Sequence, residues 1–229
     1  MPNRPEDLLR EEFNRWASAG RGDEMQQEHL RITEKTLPLM GIEATDRILD
    51  LGCGSGWTSA LLAQIVTQGQ VVGMDVSDEM IGRARRHYRD LLNVMFLASG
   101  VEQIPWNGDF FHKAFSVESA YYWPDPAKAL REIFRVLRPG GSAWILINLY
   151  KENIYTHQWV PLLPPTHLLS GDEWCDLIKQ AGFVETGHRR IVDDRPVPRE
   201  YHGQWFKDAE ELRKFQEEGA LLVFGSKPE

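Results

Sequence analysis

Two groups of residues in this 229-residue chain have types and spacings that could do chemistry. The first is the run Asp50-Leu-Gly-Cys-Gly-Ser-Gly56, followed by the acid Asp75. Glycines at 52, 54 and 56 let the backbone approach a ligand and take up positive φ. A helix starting after such a turn offers unpaired N–H groups and a partial positive charge. Asp75 stands at the end of the next apolar run, where a carboxylate can accept both hydroxyls of a ribose. A pyrophosphate binder would read G-x-G-x-x-G, yet Trp57 fills the third-glycine slot. Asp50, immediately before the turn, would repel a pyrophosphate and suits an α-ammonium group. The spacing therefore disfavours an NAD-linked oxidoreductase, kept as a weaker alternative. The second group is Glu118-Ser-Ala-Tyr-Tyr-Trp-Pro124. Tyr121, Tyr122 and Trp123 can stack on a substrate or flank a cation, or pack a helix start. Glu118 can contact an ammonium or act as a base, and His29, His157 and His167 are the other base candidates, since imidazole titrates near neutrality.

The elements that must position these groups alternate between apolar strands and amphipathic helices, the pattern of a parallel α/β sheet. Leu9, Phe13, Trp16 and Ala17 share one face of a first helix, Gly20-Arg21-Gly22 breaks it, and Met25, His29, Ile32, Thr36 and Leu39 form the stripe of a second. Strands are expected at 47–51, 71–75, 94–97, 114–117, 143–147, near 186–191 and at 221–224. The glycine turn leads into a helix over 58–68, ended by Gly69. Ser77 caps the next helix, Asp125-Pro126 opens another, and Pro139-Gly140-Gly141 stops it. Ser170-Gly-Asp-Glu173 is a capping box, and 207–218 is a polar-faced helix. Two stretches, 150–169 and 192–206, are rich in Pro, His and aromatics, and loops of that length are usually functional lids or disordered.

Asp50–Gly56 resembles the first motif of the class I S-adenosylmethionine-dependent methyltransferases, Val71-Val-Gly-Met-Asp75 their second, and Phe134-Arg-Val-Leu-Arg-Pro-Gly-Gly141 the segment before their fifth strand. The similarity is closest to the small-molecule methyltransferase type 11 group and covers roughly residues 45–150. It implies a Rossmann-like seven-stranded sheet, mostly parallel with an antiparallel last strand, helices on both faces and an N-terminal helical lid. One domain over 1–229 is expected, with 1–44 as helical cover, 45–150 as cofactor core, and 151–229 carrying C-terminal strands and substrate-side inserts. The cofactor implied is S-adenosyl-L-methionine, leaving S-adenosyl-L-homocysteine. Asp50 would face its ammonium, Gly52, Cys53 and Gly54 would lie against it, Asp75 would hold the ribose and Val76 the adenine face. Ser99, Gly100 and Val101 would hold the adenine edge, although Gly100 stands where the family commonly places an acid for the exocyclic amine. Trp16 and Arg21 would meet the cofactor carboxylate, Glu118 its ammonium end, and Tyr121, Tyr122, Trp123 and His157 the acceptor.

The loop at Glu118 lacks the Asn/Asp-Pro-Pro-Tyr motif of nucleic-acid amino methyltransferases, a Pro-Cys nucleophile and a catechol-type metal-ligand set. A metal-free enzyme acting on a small-molecule acceptor is therefore expected, with a non-catalytic cofactor binder as the alternative. Twenty-six basic against 34 acidic residues leave a formal charge of −8, which disfavours nucleic acid as a partner. No apolar run approaches the ~20 residues that span a bilayer, the opening MPNRPEDLLREEF has no apolar signal-like core, and the two cysteines offer no disulfide framework. These features lead us to expect a cytoplasmic location and a monomer or homodimer.

Overall fold

The computed structural model describes residues 4–229, with the side chains of residues 22 and 23 excepted. Its centre is a seven-stranded sheet built from β1 (Arg47–Leu51), β2 (Gln70–Asp75), β3 (Val94–Ala98), β4 (Phe111–Val117), β5 (Leu137–Ile147), β6 (Val184–Ile191) and β7 (Ala220–Ser226), in the order β3-β2-β1-β4-β5-β7-β6. β7 runs antiparallel to both β5 and β6, and the remaining pairings are parallel. The inner strands read as continuous apolar runs because both faces are covered. Ile48, Leu49, Val71, Phe115, Ile145 and Leu222 are all essentially inaccessible. This is the Rossmann-like sheet that the sequence implied.

The chain turns outward in both directions from β1 and β4, so a crevice opens at their carboxyl ends, the general ligand position in open α/β sheets. Helices α1 (Pro5–Ser18) and α2 (Arg21–Thr36) lie at that end, joined at Gly20, whose φ is +83°. The crossover helices are α3 (Trp57–Ile65), α4 (Asp78–His87) and α5 (Pro126–Val136), and α6 (Gly171–Gln180) and α7 (Ala209–Glu218) flank the C-terminal strands.

Local signals hold at the caps. Ser77 Oγ accepts from the Met80 amide, Asp125 from Lys128, and Ser170 and Glu173 form the reciprocal capping box. Boundaries differ where distant groups intervene. α3 stops at Ile65, short of Gln68, because Asn93 Nδ2 donates to the carbonyls of Ala63 and Val66 at 2.9 and 3.1 Å and closes the helix end. The second helical stripe ends before Leu39, since Pro38 supplies no amide hydrogen and the chain tightens into a 3₁₀ turn over Leu37–Met40. Pro139-Gly140-Gly141 lies inside β5, which begins at Leu137 beside Phe111 and resumes its pairing at Ser142 after an irregularity. No helix among the described residues is long and apolar enough to cross a membrane.

Candidate functional site

The glycine turn leaves β1 and enters α3 with Gly52, Gly54 and Gly56 at φ +71°, +52° and +91°. Gly52 is required by packing, since a Cβ there would sit 2.3 Å from the Ser119 side chain. At Gly54 the reason differs. A Cβ would meet nothing within 4 Å, and Gly54 lines a cavity, so its bare backbone faces open space. Asp75 anchors the turn from below: Oδ2 accepts from the Gly54 amide at 2.9 Å and Oδ1 from the Ser77 amide at 2.8 Å. Burial raises the Asp75 pKa, and the Ser77 and Gly54 hydrogen bonds oppose that rise. A carboxylate offers about four acceptor positions, so two remain for a ligand.

The cavity runs along the carboxyl ends of β4, β1, β2 and β3. Glu118 and Ser119 mark its β4 end, Gly52 and Gly54 its centre, Asp75 and Val76 the next position, and Ser99, Gly100 and Val101 the β3 end. Four neighbouring strands at ~4.8 Å spacing span roughly 14 Å. That length suits a nucleoside with an amino-acid tail. Leu9 and Phe13 of α1 and Met25 of α2 close the side facing away from the sheet, making α1–α2 a cover over the crevice. Arg10 Nε donates to the Val76 carbonyl at 3.1 Å, and Asn14 Oδ1 accepts from Ser77 Oγ at 2.6 Å, which fastens α1 to the β2–α4 corner.

A second, larger cavity adjoins the first, and Glu118, Tyr122 and Met25 line both. Its walls include Trp16, Arg21 and His29 from α1–α2, Tyr121, Asn148, Trp159 from the 150–169 stretch, and Asp193, Arg195 and Tyr201–Phe206 from the 192–206 stretch. Both long stretches are thus ordered walls. Trp159 packs against Trp205, Phe206 and Phe215 with ring centroids 5.6–5.8 Å apart. Arg195 pairs with Asp193 at 3.0 Å and donates to the carbonyls of Gln27 and Glu28 at 2.7 and 2.8 Å, tying this insert to α2.

Glu118 stands where the cavities meet. Its φ of +53° is uncommon for a side-chain-bearing residue and turns the carboxyl inward. Oε1 accepts from the Asn148 amide at 2.6 Å and Oε2 from the Tyr121 hydroxyl at 2.9 Å. Burial outweighs these two bonds and pushes its pKa up to about 8. His29 presents the opposite case. Burial, with the Arg195 charge adding to it, pushes its pKa down to about 4, and its Nδ1 is buried with no hydrogen-bond partner. The imidazole is therefore neutral at physiological pH.

The residues singled out from the sequence divide three ways. Gly52, Gly54, Asp75, Val76, Ser99, Gly100, Val101, Glu118, Tyr122 and Trp123 line the first cavity. Trp16, Arg21, His29 and Tyr121 line the second, with Glu118 and Tyr122 shared. Arg21 lies with its guanidinium carbon 4.1 Å from the Trp16 ring centre. Asp50, Cys53, His157 and His167 line neither. Asp50 is buried beneath the turn, accepts from Ser59 Oγ at 2.6 Å, and is pushed up to about 7 by burial. Cys53 packs with Ile81, Ala84 and Phe96. The His157 ring hydrogen-bonds the Lys151 carbonyl at 3.0 Å, and the His167 amide donates to the Tyr121 carbonyl at 2.8 Å. Sequence reasoning missed Glu6, Leu9, Phe13 and Met25 as site walls, and Trp159, Asp193, Arg195 and Trp205 in the second cavity. The only local signals were an amphipathic first helix and the aromatic content of the two inserts.

A family profile described as a methyltransferase domain matches residues 48–141, from β1 into β5. This chain is 30% identical to a chain in the solved complex between the Haloferax volcanii Trm112 methyltransferase activator and a candidate methyltransferase. That match covers 95% of this chain and 98% of the other, with a TM-score of 0.88. It is also 30% identical over 124 residues to the uncharacterized methyltransferase YdaC of Bacillus subtilis, covering 54% of this chain and 68% of that one. A third relative is 2-methyl-6-phytyl-1,4-hydroquinone methyltransferase 2, chloroplastic, of Oryza sativa subsp. japonica, 29% identical over 149 residues, or 63% of this chain. The chain spans only 41% of that protein's length. The chain belongs to the class I S-adenosylmethionine-dependent methyltransferase family, and its seven-stranded sheet is the fold of that family.

Proposed function

We propose that the protein transfers a methyl group from S-adenosylmethionine to a small-molecule acceptor. The observation that carries this reading is the continuity of the two cavities at Glu118 and Tyr122, one suited to a nucleoside with an amino-acid tail, the other walled by aromatic rings. When bound, the cofactor would supply a sulfonium methyl carbon for in-line attack by an acceptor atom, with the thioether sulfur of S-adenosylhomocysteine as the leaving group. Asp75 would hold the ribose hydroxyls, Val76 and Val101 the adenine faces, Ser99 its edge, and the Gly52–Gly54 backbone the methionine part. Asp50 would act through Ser59 to support the turn. Glu118 would bring its carboxyl to the tail or to the acceptor at the junction. Trp16, Arg21, Tyr121 and Tyr122 would hold the acceptor, with Trp159 and Trp205 closing the far wall.

Alignment and exclusion of water supply most of the acceleration such a transfer needs. A proton leaving the acceptor requires a base, and of the two candidates lining the acceptor cavity Glu118, pushed up to about 8, holds a proton far more strongly than His29, pushed down to about 4. The aromatic walls favour an acceptor with a flat apolar body and one polar group. Isotope-labelled S-adenosylmethionine, incubated with a panel of phenols, hydroquinones and aromatic amines, tests this. Label transfer that falls with Glu118→Gln supports the reading, and cofactor binding without transfer to any member supports a non-catalytic binder instead.

The likeness to the Haloferax chain along nearly the whole length supports a partner protein of the activator kind. Co-expression with a Trm112-type protein followed by gel filtration tests it, and separate elution of the two at micromolar concentration rejects it.

A further inference from the structure

Three charged side chains approach the β3 end of the first cavity. Glu102 is already engaged, accepting from the Asp125 amide at 2.7 Å and from Lys128 Nζ at 3.4 Å. Arg10 is spent on the Val76 carbonyl at 3.1 Å and on the Glu6 and Asp7 carboxylates. The third is Glu6, in the first turn of α1. Its carboxyl stands directly against Gly100: a Cβ on Gly100 would lie 2.7 Å from Glu6 Cδ and 2.8 and 3.0 Å from its two oxygens. Glu6 also lines the cavity beside Ser99, Gly100 and Val101. Arg10 Nη2 holds Glu6 Oε1 at 3.1 Å, so the carboxylate is aimed while retaining acceptor positions.

With the ribose at Asp75, the sheet order leaves the base over the ends of β2 and β3, where Val76 and Ser99–Val101 lie. The edge of a purine reaching that far presents its exocyclic group to whatever acceptor stands at Gly100. The loop itself has no side chain there. We propose that Glu6 is the residue that recognises the adenine amine, the acid absent from Gly100 being supplied from the cover helix of the same chain. This rests on the reading that the cofactor occupies the first cavity. Two consequences follow. Gly100 is small because Glu6 needs its space. And because Glu6 reaches the cavity from α1, which Arg10 and Asn14 fasten to the β2–α4 corner, reading of the base depends on the placement of the cover helix.

The test uses the full chain and two probes, S-adenosyl-L-homocysteine and S-inosyl-L-homocysteine, titrated by calorimetry. The inosyl compound replaces the amine donor with a carbonyl acceptor, which a carboxylate disfavours and a Gln amide can satisfy. Wild type is expected to prefer the adenosyl compound by about tenfold or more, as sites built on a hydrogen bond do. Glu6→Gln is expected to shrink that preference several-fold, a change that loss of α1 packing alone would not produce. Gly100→Asp, which crowds Glu6, is expected to weaken adenosyl binding, and Glu6→Ala combined with Gly100→Asp to recover it. If Glu6→Gln keeps the wild-type preference, or the double variant binds no better than Gly100→Asp alone, the proposal is overturned. Asp75→Ala separates the two levels: it should weaken both probes together. Wild type that binds neither probe while folded by circular dichroism refutes the underlying cofactor reading as well.

Discussion

Substitution of Gly54 by alanine isolates the ligand-facing role of the turn. The residue has φ +52°, and an added Cβ meets no protein atom within 4 Å. The stability cost is then backbone strain alone, about 1–2 kcal/mol for a left-handed non-glycine residue. For a protein of this length that lowers the melting temperature by roughly 2–8 °C. Binding should suffer separately, because the methyl enters space that the cofactor fills. Overpacking costs about 1–3 kcal/mol, or roughly 5- to 150-fold in affinity. Gly20 provides the control: its φ is +83°, its Cβ space is also empty, and it lines neither cavity. Differential scanning fluorimetry and titration with S-adenosylhomocysteine on both variants separate the effects. Both should melt earlier by similar amounts, and Gly54→Ala alone should lose affinity. Equal affinity in the two variants would refute the assignment of the open space above Gly54 to the cofactor.

Asp75→Ala should weaken S-adenosylhomocysteine binding by about 1.5–3 kcal/mol, the usual value of charge-assisted hydrogen bonds, and unchanged calorimetric affinity would remove the ribose assignment. His29 has a folded pKa of about 4 against an ordinary 6.5, so the unfolded chain binds the extra proton first and stability falls as pH drops from 6.5 towards 4. Between pH 7 and pH 5 this amounts to about 2 kcal/mol, which should disappear from the urea-unfolding difference measured on His29→Gln. Glu118 is raised to about 8, so its destabilising burial is absent below pH 4.5 and grows as pH rises through 8. Glu118→Gln should therefore gain thermal stability relative to wild type on going from pH 5 to pH 8, with no gain arguing that the folded carboxyl ionises at its ordinary pKa.

Much of the cofactor crevice was legible because its determinants are local. A strand, a glycine turn and an acid at the end of the next strand are contiguous features, and parallel pairing brings Asp75 to the Gly54 amide automatically. Caps such as Ser170–Glu173 are equally local. Asp50 shows the limit: its type and position suit an ammonium, yet its carboxyl turns to Ser59 on α3 beneath the turn. Glu6, Trp159 and Arg195 were not legible, because each reaches the cavities through tertiary contacts with segments far away in sequence, Gly100, Trp205 and α2 respectively. The exposed or buried fate of histidines depends on the same long-range packing. His29 faces a cavity because the 192–206 insert folds over α2, whereas His157 is taken up by a nearby carbonyl.

A crystal structure with S-adenosylhomocysteine bound addresses the central claim most directly. The ribose hydroxyls should rest on Asp75, the purine between Val76 and Val101, and the sulfur should point past Glu118 and Tyr122 into the aromatic-walled cavity. A ligand lying elsewhere, or one whose sulfur faces away from that second cavity, would contradict the account.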